Sequence, residues 1–192
     1  MKKCTLVFFV CSIALNLSAQ KLTTEQAAIK KTFFDFLLFY KKKEKKFNSF
    51  KLYSGTGREG NPPYRINWKT GVQQYFSYLR KNVPYVGEAY IKAETQHFKD
   101  AEKSFKEFPD EEIVMGFDFD RWAGGQESIS YTYTWYTSSK NTYQVKINGN
   151  KATLRIGSPQ DAGNKNSEKF WAFVPFVKEN GKWKMADNIY PE

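Results

Sequence analysis

Thiols are the first thing this chain lacks. Among 192 residues only Cys4 and Cys11 are cysteines, and both fall in an N-terminal stretch that reads as a removable leader. A mature chain without cysteine excludes disulfides, zinc–thiolate centres and cysteine nucleophiles together. Histidine is equally scarce. His97 is the only one, so a multi-histidine metal site is excluded, and neither a metal nor another cofactor is expected. Acidic residues are outnumbered, 20 against 30 Lys and Arg, for a formal charge of +10. Beyond the leader no apolar run is long enough to span a bilayer, and no transmembrane helix is expected. No internal repeat is present. Gly55, Gly57 and Gly60 spell G-x-G-x-x-G, but Asn61-Pro62-Pro63 follows and blocks the helix that a dinucleotide loop requires. Leu79 and Arg80 stand where an acidic ribose partner would be sought.

What is present begins with the leader. Lys2 and Lys3 precede a mostly apolar run over 6–17, and Ser18 and Ala19 are small. Residues 1–19 therefore read as a secretory signal peptide, with 20–192 as one domain in the periplasm or outside the cell. Lipidation at Cys11 is the rival reading, disfavoured because Val10 precedes it and the apolar run continues past it. Losing Lys2 and Lys3 lowers the formal charge to +8. Export excludes nucleic acid as the sensible partner. It leaves envelope surfaces, acidic glycans or acidic proteins, with plain solubility as the simpler explanation.

The mature chain reads as three helices followed by strands. Thr23 and Gln26 form a capping box for a helix over about 24–43, striped by Ile29, Phe33, Phe36, Leu37 and Tyr40. Lysines 41, 42, 43, 45 and 46 crowd its end, where the helix dipole favours cations. A second helix is expected over 68–82. A third is expected over 88–108, striped by Ile91, Phe98, Ala101, Phe105 and Phe108. The stretch 128–137, SISYTYTWYT, alternates strictly and is built of residues that favour strands. It is expected to be a strand with Ile129, Tyr131, Tyr133 and Trp135 facing the core. Further strands are expected over 142–148, 151–157, 169–178 and 183–190, turned at Asn148-Gly149 and Asn180-Gly181. The polar loop 158–167 is the expected mobile segment. Helices first and strands after give an α+β fold, three helices on an antiparallel sheet of about five strands.

The phrase from Glu179 through Trp183 and Met185 to Asp187 resembles the closing hairpin of the nuclear transport factor 2-like, cone-shaped superfamily. The connector Gly116-Phe117-Asp118-Phe119-Asp120, followed by Gln126, is similar to a secreted bacterial branch of it, a domain family of unknown function. The resemblance implies a bent sheet wrapped round a long N-terminal helix. The superfamily includes enzymes, adaptors and immunity proteins, so the resemblance implies no catalytic residue.

Several residues are candidates for chemistry. His97 sits in Glu94-x-x-His97 with Asp100 beyond it. That is half of a di-iron signature, or a general base, or a polar residue beside an apolar stripe. Asp35 is the one charge in an apolar helix segment and could serve as a base, although Lys31 at i−4 offers an ordinary ion pair. Asp187 shares strand parity with Trp183, Met185 and Ile189, which would bury it and call for a partner such as Arg121. Asp118, Asp120, Arg121 and Trp122 in the connector, with Tyr131, Tyr133 and Trp135, would line a ligand pocket if the cone is open. If Phe33 and Phe36 fill it, they belong to the core. The chain thus reads as a secreted binding or interaction module for a small ligand or a protein, possible as a homodimer. One alternative is a small isomerase or dehydratase with Asp35, His97 or Asp187 as base. Another is an immunity or inhibitor protein.

Overall fold

A computed structural model describes residues 22–157 and 170–191. The leader and the polar loop 158–167 lie outside the described residues. Among these residues the architecture is α+β: four α-helices and two antiparallel sheets.

Helix α1 (Thr24–Phe47) opens on the expected capping box. Gln26 N–H donates to Thr23 Oγ1 at 3.3 Å, and Thr23 N–H donates to Gln26 Oε1 at 2.9 Å. The helix continues past the lysines because Phe47 is fully buried, its ring 5.0 Å from that of Tyr40 and 5.2 Å from that of Trp122. Its stripe packs inward as expected, with Ile29, Phe33, Phe36, Leu37 and Tyr40 all buried.

The glycine-rich segment forms part of a short hairpin, β1 (Tyr53–Gly55) with β2 (Tyr64–Ile66). One π-helical turn, Trp68–Val72, then leads into α2 (Gln73–Asn82). Gly71 lies against the chain at Lys51: a Cβ there would meet the Lys51 carbonyl oxygen at 1.9 Å, so only glycine permits the approach.

Helix α3 (Glu88–Glu107) is capped from far away in sequence. Glu179 accepts from Glu88 N–H at 3.2 Å and Ala89 N–H at 3.0 Å. A carboxylate there satisfies two orphan donors and complements the positive end of the helix dipole. Ile91, Glu94, Phe98, Ala101 and Phe105 are buried along one stripe. Phe108 departs from expectation and is exposed, because it lies one residue past the helix end.

The largest correction concerns 128–137. Ile129–Tyr136 is a helix, α4, not a strand. Ser128 caps it, accepting from Tyr131 N–H. Its buried residues are Ile129, Thr132 and Tyr136, a spacing of three and then four. Tyr131 and Trp135 turn outward instead of inward. Packing decides the matter: Tyr136 sets its ring edge-on to Phe33 of α1 at 5.4 Å, which a helix phase satisfies and a strand phase does not.

The larger sheet runs β3 (Thr142–Asn148), β4 (Lys151–Gly157), β5 (Phe170–Glu179), β6 (Lys182–Met185), all antiparallel, with β7 (Tyr190–Pro191) also on β5. Both Asn-Gly signals mark tight turns. Asn148 pairs with Lys151, and Glu179 pairs with Lys182 across Asn180 (φ 50°) and Gly181 (φ 75°). The expected last strand is broken. Residues 186–189 leave the ladder between β6 and β7, and that break carries Asp187 and Asn188 toward α3.

The remote cap gives a prediction. Glu179→Ala should destabilise the fold by about 1 kcal/mol, the ordinary worth of a helix N-terminal acceptor. Urea unfolding of the variant against the wild type measures it. No change in the midpoint would show that the two N–H groups are equally well served by water.

Candidate functional site

The break after β6 meets the middle of α3 at His97. Its Nε2 lies 2.8 Å from Asp187 Oδ1 and 3.2 Å from the Tyr190 hydroxyl. Tyr190 donates to Asp187 Oδ2 at 2.7 Å, and Asn188 N–H donates to Asp187 Oδ1 at 2.8 Å. The ionised carboxylate therefore fixes the proton on Nε2. No described residue bonds Nδ1. The His97 side chain is 35% exposed and that of Asp187 24%. The bond and charge of Asp187 raise the imidazole above its ordinary pKa, against burial; Glu94 adds to this and Arg121 opposes it. Burial pushes Asp187 up, but bonds from His97, Tyr190 and Asn188 N–H hold it below its usual value.

Beneath this cluster lies a buried polar network. Glu94, one helical turn before His97, is wholly buried. Its Oε1 accepts from Arg121 Nη2 at 2.9 Å and from Asn188 Nδ2 at 2.8 Å. Its Oε2 accepts from the Tyr75 hydroxyl at 2.9 Å, and Trp122 Nε1–H donates to that hydroxyl at 2.7 Å. The Tyr90 hydroxyl donates to Asn188 Oδ1. Burial, with Glu94 close by, holds both tyrosines well above their ordinary pKa. The Arg121 guanidinium carbon lies 4.6 Å from the Phe98 ring centroid and 5.0 Å from that of Phe117. Among the described residues Arg121 Nε is the one buried side-chain polar atom without a partner.

The candidates from sequence are thus partly gathered and partly scattered. His97 and Asp187 meet. Arg121 is not the partner of Asp187, as the strand parity suggested; it neutralises Glu94 instead. Asp35 joins neither and pairs with Lys31 at 2.6 Å. Asp120 is a structural anchor: it accepts from the Tyr40 hydroxyl at 2.7 Å and from the N–H groups of Trp122 and Ala123. Burial raises its pKa despite those bonds. Asp118 is exposed and Trp122 is buried. Tyr131 and Trp135 are on the surface, and Tyr133 packs beside Lys41, whose ammonium is 5.1 Å from its ring. Asp100 faces outward and bonds Gln96, not the cluster.

Tyr75, Tyr90, Asn188 and Tyr190 escape a sequence reading, since single tyrosines and asparagines carry no motif. Glu94 does carry a signal. It falls on the stripe of Ile91, Phe98 and Ala101, and a carboxylate on an apolar stripe requires a buried cation.

Two predictions follow from this geometry. With one histidine in the chain, NMR titration of the imidazole is unambiguous; His97 should titrate above about 6.5 and return toward it in Asp187→Asn. The pair's contribution to stability should be full between about pH 4 and 6.5. It should be lost as pH rises through the raised His97 value, or falls through the lowered Asp187 value. An unshifted titration would refute the ion pair. For the network, Arg121→Met alone should cost about 3–5 kcal/mol by stranding the Glu94 charge, and Arg121→Met with Glu94→Leu should recover part of it. Denaturant unfolding of the single and double variants tests this.

No family model, curated protein or solved structure matches this chain.

Proposed function

We propose that this protein is a secreted binding or interaction module of the nuclear transport factor 2-like layout, working through its surface and not through an internal pocket. The observation that carries this reading is the filled interior. Phe33, Phe36, Leu37 and Tyr40 of α1 are buried to within 1% of zero exposure, in the region where a cone-shaped fold would otherwise hold a ligand. They continue into a packed aromatic cluster with Phe47, Trp122 and Tyr136. Large apolar groups appear instead on the outside. Among the described residues the exposed ones are Phe108, Ile113, Met115, Phe119, Tyr131 and Trp135, all in the connector and α4.

A second reading has one specific observation in its favour. His97 is 35% exposed and keeps an Nδ1 that no described residue bonds, while Asp187 and Tyr190 fix its other nitrogen, which is the arrangement of a general base beside a hydroxyl donor. A small isomerase- or dehydratase-type enzyme would use His97 in that role.

Native mass spectrometry of the protein isolated gently from its source separates the two. The binding reading expects a retained protein partner or surface ligand, unaffected by His97→Ala and weakened by Tyr131→Ala. A small molecule released only on unfolding, or lost with His97→Ala alone, would overturn it.

A further inference from the structure

Four of the exposed large apolar side chains fall in one short stretch: Phe108, Ile113, Met115 and Phe119, at 57, 55, 48 and 43% exposure. The same stretch carries charge of one sign. Between Lys106 and Arg121 the sequence holds six carboxylates and no basic residue, in a chain whose formal charge is +10. Asp110, Glu111, Glu112 and Asp118 are exposed, and none makes an ion pair among the described residues. The backbone beneath is fixed. Glu111 N–H donates to the Phe108 carbonyl at 3.3 Å and Phe117 N–H to the Val114 carbonyl at 2.8 Å, which makes two tight turns. The Tyr64 hydroxyl donates to the Glu112 carbonyl at 3.2 Å, and the Phe117 ring lies flat on Phe98. Covering the apolar side chains therefore orders little backbone.

The complement lies on the same chain. Five of the six residues from Lys41 to Lys46 are lysine. The helix dipole accounts for Lys45 and Lys46 in the last turn of α1, and not for the three lysines before them. Lys41 and Lys46 lie over the rings of Tyr133 and Phe50. The ammonium groups of Lys42, Lys43 and Lys45, all exposed, meet no carboxylate and no ring among the described residues. The two runs adjoin. Tyr40, just before the lysines, donates to Asp120, the last acid of the other run, at 2.7 Å. Neither run neutralises the other within one copy.

Resting on the binding-module reading and naming its partner, we propose that this protein pairs with a second copy of itself about a two-fold axis, the acidic apolar connector of each copy covering the lysine run of the other. A surface with both halves of a complementary pair side by side suits such an axis, because each contact is made twice. The apolar side chains supply burial, against each other and against the methylene stems of the lysines. The charges set orientation and register. An anionic lipid surface fits less well, because the exposed carboxylates around the apolar side chains would face headgroups of their own sign.

Sedimentation velocity of the full mature protein over about 2–200 μM is the test, since a contact of this size sits at the weak end of specific interfaces. A concentration-dependent monomer–dimer equilibrium is expected. Ile113→Ser with Met115→Ser should weaken it about tenfold. Glu111→Lys with Glu112→Lys should be monomeric, and so should Lys42→Glu with Lys45→Glu, because each would meet its own charge in the pair. An equal mixture of the two charge-reversed proteins should regain a dimer holding one of each, which also shows that both fold. Three results would overturn the proposal: a wild type that stays monomeric at the highest concentration, a mixture no more associated than its components, or growth past two copies. If the wild type is monomeric and gently isolated material still carries another protein, self-pairing falls and the binding-module reading stands. If that material carries nothing, both fall.

Discussion

A carboxylate with no exposure at all, Glu94, sits in the middle of α3. Left alone, a buried charge of this kind costs several kcal/mol, so the fold must bring it partners. Those partners come from three other parts of the chain: Tyr75 from α2, Arg121 from the connector and Asn188 from the break after β6. Each bond therefore fixes the position of a separate element. The irregular connector gains most. It has no regular backbone ladder of its own, and it is pinned by Arg121 on Glu94, by Asp120 on Tyr40 and by Phe117, stacked on Phe98 at 5.8 Å.

The surface cluster inherits its geometry from this interior. Asn188 binds Glu94 and Tyr90 with its side chain and gives its N–H to Asp187. The Asp187 carboxylate is thereby aimed before His97 is considered. His97 follows Glu94 by three residues, so the helix places the imidazole directly above the buried charge. The half-exposed ion pair and the buried network share α3 and one dipeptide, Asp187-Asn188. The two differ in setting: the outer pair is reached by water, and the inner one is sealed.

Much of the scaffold was legible in the sequence. The capping box at Thr23, the stripe of α1, the extent of α3 and the turns at Asn148-Gly149 and Asn180-Gly181 depend on local chemistry that residues carry wherever they occur. The segment 128–137 was misread for a physical reason. Tyr, Thr and Trp favour strands through packing, and their alternation counted only because it was assumed to face a sheet. Here α1 offers Phe33 as the neighbour. Ile129, Thr132 and Tyr136 reach the buried side at helical spacing while Tyr131 and Trp135 are left outside. The candidate site divides in the same way. His97 and Asp187 could be named singly, but their meeting depends on where β6 stops, and no local signal marks that break.

The bonds of Glu94 also bear on the order of events in folding. Arg121 is 27 residues away from it and Asn188 is 94. Glu179, which caps the start of the same helix, is about as remote. Until the C-terminal segment has arrived, α3 lacks both its cap and one of the three partners of its interior charge. Contacts of such wide separation slow folding and make it cooperative, because loop closure comes before the reward. The helices that precede the sheet therefore cannot mature as a unit of their own. Loss of the residues after Met185 would take a hydrogen bond from a charge in the centre of the molecule, far from the site of the cut.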